Sequence, residues 1–167
     1  MSQKCAKFFE RDACFLNCEP HIGFWLVNAR RSFGVERMYK VPLCATACNE
    51  WWNACKNDFT CHRNWPKQFN AIDQGNHCRN STCKRFSEIW TSAKDFCETV
   101  WNESWEYTDD QQPCMKLSFN PQLPNPNKGV AEYYIKKLDS MNDNFFQRFL
   151  YLFVEITSKA KRILFKS

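Results

Sequence analysis

The chain has 167 residues and a net charge of +5, from 23 basic and 18 acidic side chains, a length that favours one domain with a real core. Its longest basic cluster is only Lys159–Arg162, with no groove-reading motif beside it, so nucleic acid is not an expected partner. Four glycines exclude a Gly-rich phosphate-loop protein; with three histidines (His21, His62, His77) and neither GxSxG nor HExxH, no enzyme is indicated.

Residues 3–18 read as a helix that carries Cys14 and Cys18 one turn apart, and the following EPHIG supplies Pro and Gly stop signals. Residues 24–33 read as a second short helix. Pro42 suits the first turn of a helix over 43–57. Within that helix Cys44, Cys48 and Cys55 fall at i, i+4 and i+11, on one face, with Trp51 and Trp52 between them. Such a helix can be tied to three other segments, with the indoles packed around the bridges. Residues 62–82 are polar and loop-like, with a turn in NAIDQGNH. Residues 84–103 carry Phe86, Ile89, Trp90, Phe96, Val100 and Trp101 at a helical apolar period.

Four prolines between Pro113 and Pro126 make 106–128 irregular, with MKLSF (115–119) the best strand candidate. Residues 129–141 read as a helix. The aromatic FFQRFLYLFVEI (145–156) is too short, and with Arg148 and Glu155 too charged, to span a bilayer, which takes about 20 apolar residues. It reads as a docked terminal helix or as an interfacial membrane helix followed by KAKR. A lipid-anchor signal is disfavoured, because the chain ends in Phe-Lys-Ser rather than an apolar run. The expected division is a domain over 1–141 and an apolar, basic tail over 142–167.

Eleven cysteines are several times ordinary usage. None forms a CxxC, so neither zinc nor any other metal is expected, and disulfides are. The odd number leaves at least one thiol without a partner inside the chain. Disulfides persist mainly in oxidising compartments, and the sequons at Asn80 and Asn102 point the same way: extracellular, secreted or at the cell surface. The start MSQKCAKFFERDAC has no apolar signal-peptide core, so the sequence is expected to lack its true N-terminal segment.

Five stretches carry a resemblance. They are DACFLNCEPHIGFW (12–25), ERMYKVPLC (36–44), CNEWWNACKNDFTCHRNW (48–65), CETVWNESW (97–105) and NPNKGVAEYY (125–134). Through them, in order and nearly in spacing over residues 5–138, the chain resembles the folate receptor and riboflavin-binding protein family. The resemblance implies an α+β, mainly helical, disulfide-rich globule with few short strands and long loops around a deep pocket. It implies the bridges Cys5–Cys55, Cys44–Cys114, Cys48–Cys97 and Cys61–Cys78. Cys14, Cys18 and Cys83 match cysteines whose partners lie in the family's N-terminal segment.

The implied function is to bind and carry a flat heteroaromatic vitamin as a ligand, with no cofactor, as a monomer; the tail is the candidate for membrane association. Asp12 matches a pterin-binding carboxylate and Arg37 a pterin-contacting guanidinium. Trp101 matches a stacking wall and Ser104 a hydrogen-bond donor, and Trp65 and Lys67 match the loop near the glutamate tail. Without the resemblance, Asp12 reads as a helix-surface carboxylate, Trp101 as core and Ser104 as part of a sequon. Leu16 stands where the family has its other stacking wall, a tyrosine, and Phe33-Gly34 stand where it has Trp-Arg. Residues 75–105 read closer to the riboflavin branch, whereas Asp12 and Arg37 are folate-branch features. Folate or a related pterin, riboflavin, and a recognition module without vitamin binding therefore stand as three readings.

Overall fold

The computed structural model describes residues 1–31, 34–69, 78 and 81–141. The chain forms two compact units, Met1–Ala131 and Glu132–Ser167. Of the second, the described part is helical over 132–141, where Tyr133 and Tyr134 meet edge to face at 5.2 Å. The aromatic stretch 145–156 and the KAKR cluster lie outside the described residues, and no described helix is long and apolar enough to cross a membrane.

The first unit opens with helix α1, Gln3–Cys18. Ser2 caps it, its hydroxyl accepting from the Cys5 N–H at 3.3 Å and donating to Asp58 at 2.7 Å. A 3-10 turn, Gly23–Trp25, leads into strand β1, Leu26–Arg31, which pairs antiparallel with β2, Gly34–Met38. The expected helix over 24–33 is thus replaced by a turn and a strand. Only long-range pairing, Leu26 with Met38 and Val27 with Arg37, decides between them, because a short apolar run suits either period.

Strand β3, Val41–Cys44, is fully buried and precedes helix α2, Ala45–Cys55. Pro42 therefore sits in a strand, not in the first helical turn. A proline is tolerated there because β3 belongs to a two-stranded sheet, and the Pro42 carbonyl still accepts from the Met115 N–H. Cys44 falls at the N-cap of α2, so Cys48 and Cys55, not three cysteines, lie within the helix.

Two short strands, β4 (Phe59–Thr60) and β5 (Lys84–Arg85), pair antiparallel and flank α3, Trp65–Gln68. The single helix expected over 84–103 is broken into α4, Phe86–Ile89, and α5, Ala93–Val100. Ser92 restarts the helix by accepting from the Asp95 N–H at 3.1 Å, while Asp95 accepts from the Thr91 N–H at 2.9 Å. Strand β6, Trp105–Thr108, then runs parallel to β3, from Val41 opposite Trp105 to Cys44 opposite Thr108. MKLSF forms no strand; Met115 makes only an isolated bridge to Leu43.

Four disulfides frame this unit: Cys5–Cys55, Cys44–Cys114, Cys48–Cys97 and Cys61–Cys78. Two of them leave α2, one to α1 and one to α5. Trp51 lies fully buried between these bridges, edge to face with Phe9 at 5.1 Å and with Phe96 at 5.3 Å. Phe96 also meets Trp90 at 5.1 Å and Phe86 at 5.9 Å. A polar latch closes the unit. The Asn127 amide donates to Glu19 at 2.8 Å and to the Lys116 carbonyl at 3.1 Å, and its oxygen accepts from the Lys116 N–H at 2.8 Å. Asn125 donates to the same carboxylate at 3.0 Å. These partners let Asn127 be fully buried at the start of the helical run 127–131.

Phe96 has no exposed surface and Phe59 is 58% exposed. Phe96→Ala is expected to lower the unfolding free energy of the oxidised chain by about 3–5 kcal/mol, and Phe59→Ala by less than about 1 kcal/mol, in urea titrations followed by far-ultraviolet circular dichroism. Equal effects would show that the aromatic cluster is not the core. Full reduction is expected to remove most of the helical signal, because the bridges stand in for core that such short elements cannot supply.

Candidate functional site

The site residues converge where α5 ends and β6 begins. The chain there passes through two consecutive left-handed residues, Asn102 (φ 56°) and Glu103 (φ 62°). Asn adopts that region readily and Glu does so uncommonly, so the turn is held by its contacts. The Glu103 carbonyl accepts from the Lys40 N–H at 2.8 Å and that of Ser104 from the Val41 N–H at 2.9 Å. Arg37, on β2, donates to the carbonyls of Asn102 at 2.8 Å and Met38 at 3.1 Å, with its guanidinium over Tyr39. The Asn102 side chain accepts from Asn64 at 3.0 Å.

This turn sets Trp101, Ser104 and Trp105 beside α1. Asp12 is not a surface carboxylate; it is buried, and its Oδ1 accepts from the Trp105 indole N–H at 2.8 Å. Burial disfavours the charged form and raises the Asp12 pKa from 3.8 to about 7, against the opposing pull of the Trp105 and Trp101 N–H groups. The buried Trp101 Nε1 finds no hydrogen-bond partner of normal geometry among the described residues. Ser104 is buried and donates to the Trp101 carbonyl at 2.8 Å.

Trp101 belongs to an aromatic cluster. It meets Trp65 edge to face at 5.4 Å and Phe9 at 6.0 Å, and Phe9 stacks on Trp65 at 4.8 Å. The Trp65 N–H donates to the His62 carbonyl at 3.0 Å. Asp12, Arg37, Trp65, Trp101 and Ser104 are therefore joined by contacts through the Asn102 turn and this cluster. Lys67 is exposed on α3, and Leu16, one turn after Asp12, is also exposed. Of the two sequons, Asn80 lies outside the described residues, as does Phe33.

Two residues of this site escape a reading of the sequence alone. Trp105 reads as one more aromatic of the CETVWNESW run, and Phe9 as part of the apolar face of α1. Nothing in the local pattern says that the indole of one reaches the carboxyl of Asp12 or that the ring of the other stacks on Trp65.

A groove of about 640 Å³ lies elsewhere, lined among others by Phe8, Arg11, Glu50, Asp110, Lys116 and Val130. None of the six candidate site residues lines it. In its lining Cys44, Asp110 and Cys114 cluster at ligand spacing, but the two sulfurs are bonded to each other and Asp110 accepts from Thr46, so the donor set does not fit a metal.

The model of the folate receptor family matches residues 1–116. The chain belongs to the folate receptor family. It is 31% identical over 138 residues to folate receptor alpha of Homo sapiens, covering 80% of this chain and 54% of that protein. It is 30% identical over 144 residues to human folate receptor gamma, covering 84% and 59%. Against the riboflavin-binding protein of Dromaius novaehollandiae it is 32% identical over 119 residues, covering 71% and 48%. This folate receptor family member thus spans about half the length of the curated relatives it matches.

The raised Asp12 pKa has a sign that can be tested. Between pH 3.8 and about 7 the folded state holds a proton that the unfolded state has released, so the stability from Asp12 is full below pH 3.8 and is lost as pH rises through 7. Asp12→Asn keeps an acceptor for Trp105 and removes the titration. The wild-type chain is expected to lose about 1 kcal/mol per pH unit relative to Asp12→Asn between pH 4.5 and 7, in denaturant titrations at each pH. Parallel pH profiles would mean that Asp12 is ionised in the fold.

Proposed function

We propose that this chain is the ligand-holding part of an extracellular vitamin-binding protein, secreted or at the cell surface, that takes folate or a related pterin for uptake or carriage. It acts by binding as a monomer, not by catalysis, and the vitamin is cargo rather than cofactor. The observation that carries the reading is the buried Asp12 carboxyl set beside the indole N–H groups of Trp105 and Trp101, in a chain of this family. A pterin edge offers N–H donors next to ring acceptors, and such groups are buried at low cost only against partners of opposite kind. Trp105 donates to Oδ1 of Asp12, and a ligand would share this carboxyl with the indole. Trp101 supplies a ring face, Ser104 follows the same turn, and Arg37 holds that turn from β2. In this reading Trp65 and exposed Lys67 take the charged tail of folate.

Asp12 must ionise to accept two N–H bonds well. Affinity for a pterin should therefore rise with pH up to about 7 and level off above it. Riboflavin is the second reading. An isoalloxazine between aromatics needs fewer charged contacts, and a riboflavin-binding protein is among the relatives at similar identity. Exposed Leu16, where the resemblance has a second aromatic wall, favours a third: a cell-surface recognition module on the same scaffold.

The test is a tryptophan-quench titration of the oxidised chain at pH 7.4 with folic acid and with riboflavin. Saturable quenching by folic acid that weakens roughly 10- to 100-fold in Asp12→Ala, the loss of one charge-assisted hydrogen bond, would support the pterin site. Quenching by riboflavin alone would move the chain to the other ligand. No saturable quenching by either, from a chain with all four bridges mapped, would leave the recognition module.

A further inference from the structure

The turn between α5 and β6 is also the sequon Asn102-Glu103-Ser104, and the fold closes it. The Asn102 N–H donates to the Thr99 carbonyl at 3.1 Å and the Glu103 N–H to the Glu98 carbonyl at 2.9 Å. Their own carbonyls accept from Arg37 and from the Lys40 N–H, and that of Ser104 accepts from the Val41 N–H as β6 pairs with β3. The Ser104 hydroxyl, the third-position group that a sequon requires, is buried and donates to the Trp101 carbonyl at 2.8 Å. Asn102 itself is only half-buried. Its Oδ1 accepts from Asn64 at 3.0 Å, and no described residue accepts from its Nδ2.

We propose that Asn102 is an N-glycosylation site that is filled only before this turn closes, and that the folded turn then carries the glycan on Nδ2. In the transfer, Nδ2 attacks the first sugar carbon of a lipid-linked diphosphate oligosaccharide. The N–C bond forms as the bond from that carbon to the diphosphate oxygen breaks, the electron pair leaves on the diphosphate, and one amide proton passes to solvent. The amide keeps Oδ1, so the contact with Asn64 survives, and the left-handed backbone there suits asparagine. Because the sequon is read on the extended chain, the site does not need this face to be free in the folded protein. The glycan places a large hydrophilic group on the turn that sets Trp101 and Ser104, whatever ligand the protein carries. A chain whose β6 docks first stays bare there.

Glycosylation rests on the extracellular location proposed above, whereas the acceptor chemistry is tested on the purified chain. The full chain, made without glycan in bacteria and oxidised to its four bridges, is offered to an oligosaccharyltransferase with its lipid-linked donor, beside the same chain reduced with dithiothreitol. Peptide mapping by mass spectrometry reads Asn102 apart from Asn80. Asn102 is expected to be modified in the reduced chain and at least about tenfold more slowly in the oxidised chain, where only the locally opened population is read. Ser104→Ala is expected to stay bare in both. Equal rates in the two forms would overturn the closure. A bare Asn102 in the reduced chain, while an Asn-x-Ser peptide is modified, would overturn the site. The modified chain is then reoxidised, and it is expected to regain Cys48–Cys97 and its helical signal as the unmodified chain does. Loss of both from the modified chain alone would overturn the placement of the glycan on the folded turn.

Discussion

The structure depends on the position of α2. One disulfide fixes its first turns to α5 through Cys48–Cys97, and another fixes its last residue to α1 through Cys5–Cys55. Between them Trp51 is fully buried against Phe9 of α1 and Phe96 of α5. Helices of 8 and 11 residues are too short to hold such an arrangement by their own propensity. Two covalent ties and one large indole do so, and they thereby set the helix that bears Asp12 against the helix that ends at Trp101.

From that constraint the site follows. Cys44–Cys114 anchors β3, β6 pairs with β3, and the Asn102–Glu103 turn must bridge from α5 to β6 in left-handed backbone. Arg37 and the Lys40 N–H hold the turn from outside, and Trp101 and Trp105 meet Phe9 and Asp12 of α1. A carboxyl buried without a cation shifts toward its neutral form, and Asp12 does so with indole donors as its only named hydrogen-bonding neighbours. Several groups that a ligand would address are already engaged: Trp105 on Asp12, Ser104 on the Trp101 carbonyl, Arg37 on two main-chain oxygens. A ligand at the proposed site would have to offer more than these internal contacts.

The aromatic cluster has the same double character. Phe9, Trp65 and Trp101 pack as core does, yet Trp65 rides on a four-residue helix inside the loop that Cys61–Cys78 closes covalently. Packing and the staple together position that wall.

The amino-acid sequence by itself determined the class of the molecule. Eleven cysteines without a CxxC call for bridges, and the helix over 3–18 is legible up to its Pro and Gly stop signals. The resemblance carried by the Cys-Trp-Trp-Cys run brings with it the family's bridge pattern and a set of site residues by position. Three things were decided only in three dimensions. The run Leu26–Arg31 is a strand because Met38 and Arg37 pair with it, Pro42 is in a strand because β6 lies beside β3, and the helix over 84–103 breaks because Ser92 and Asp95 offer the chain a new cap. Each strand is chosen by a pairing partner on another segment, and the helix break by a short Ser92–Asp95 cap that the apolar period of 84–103 conceals. The burial of Asp12 is the same case. One turn of α1 puts it beside exposed Arg11 on paper, and only the indole arriving from residue 105 makes it an interior carboxyl with a pKa near 7.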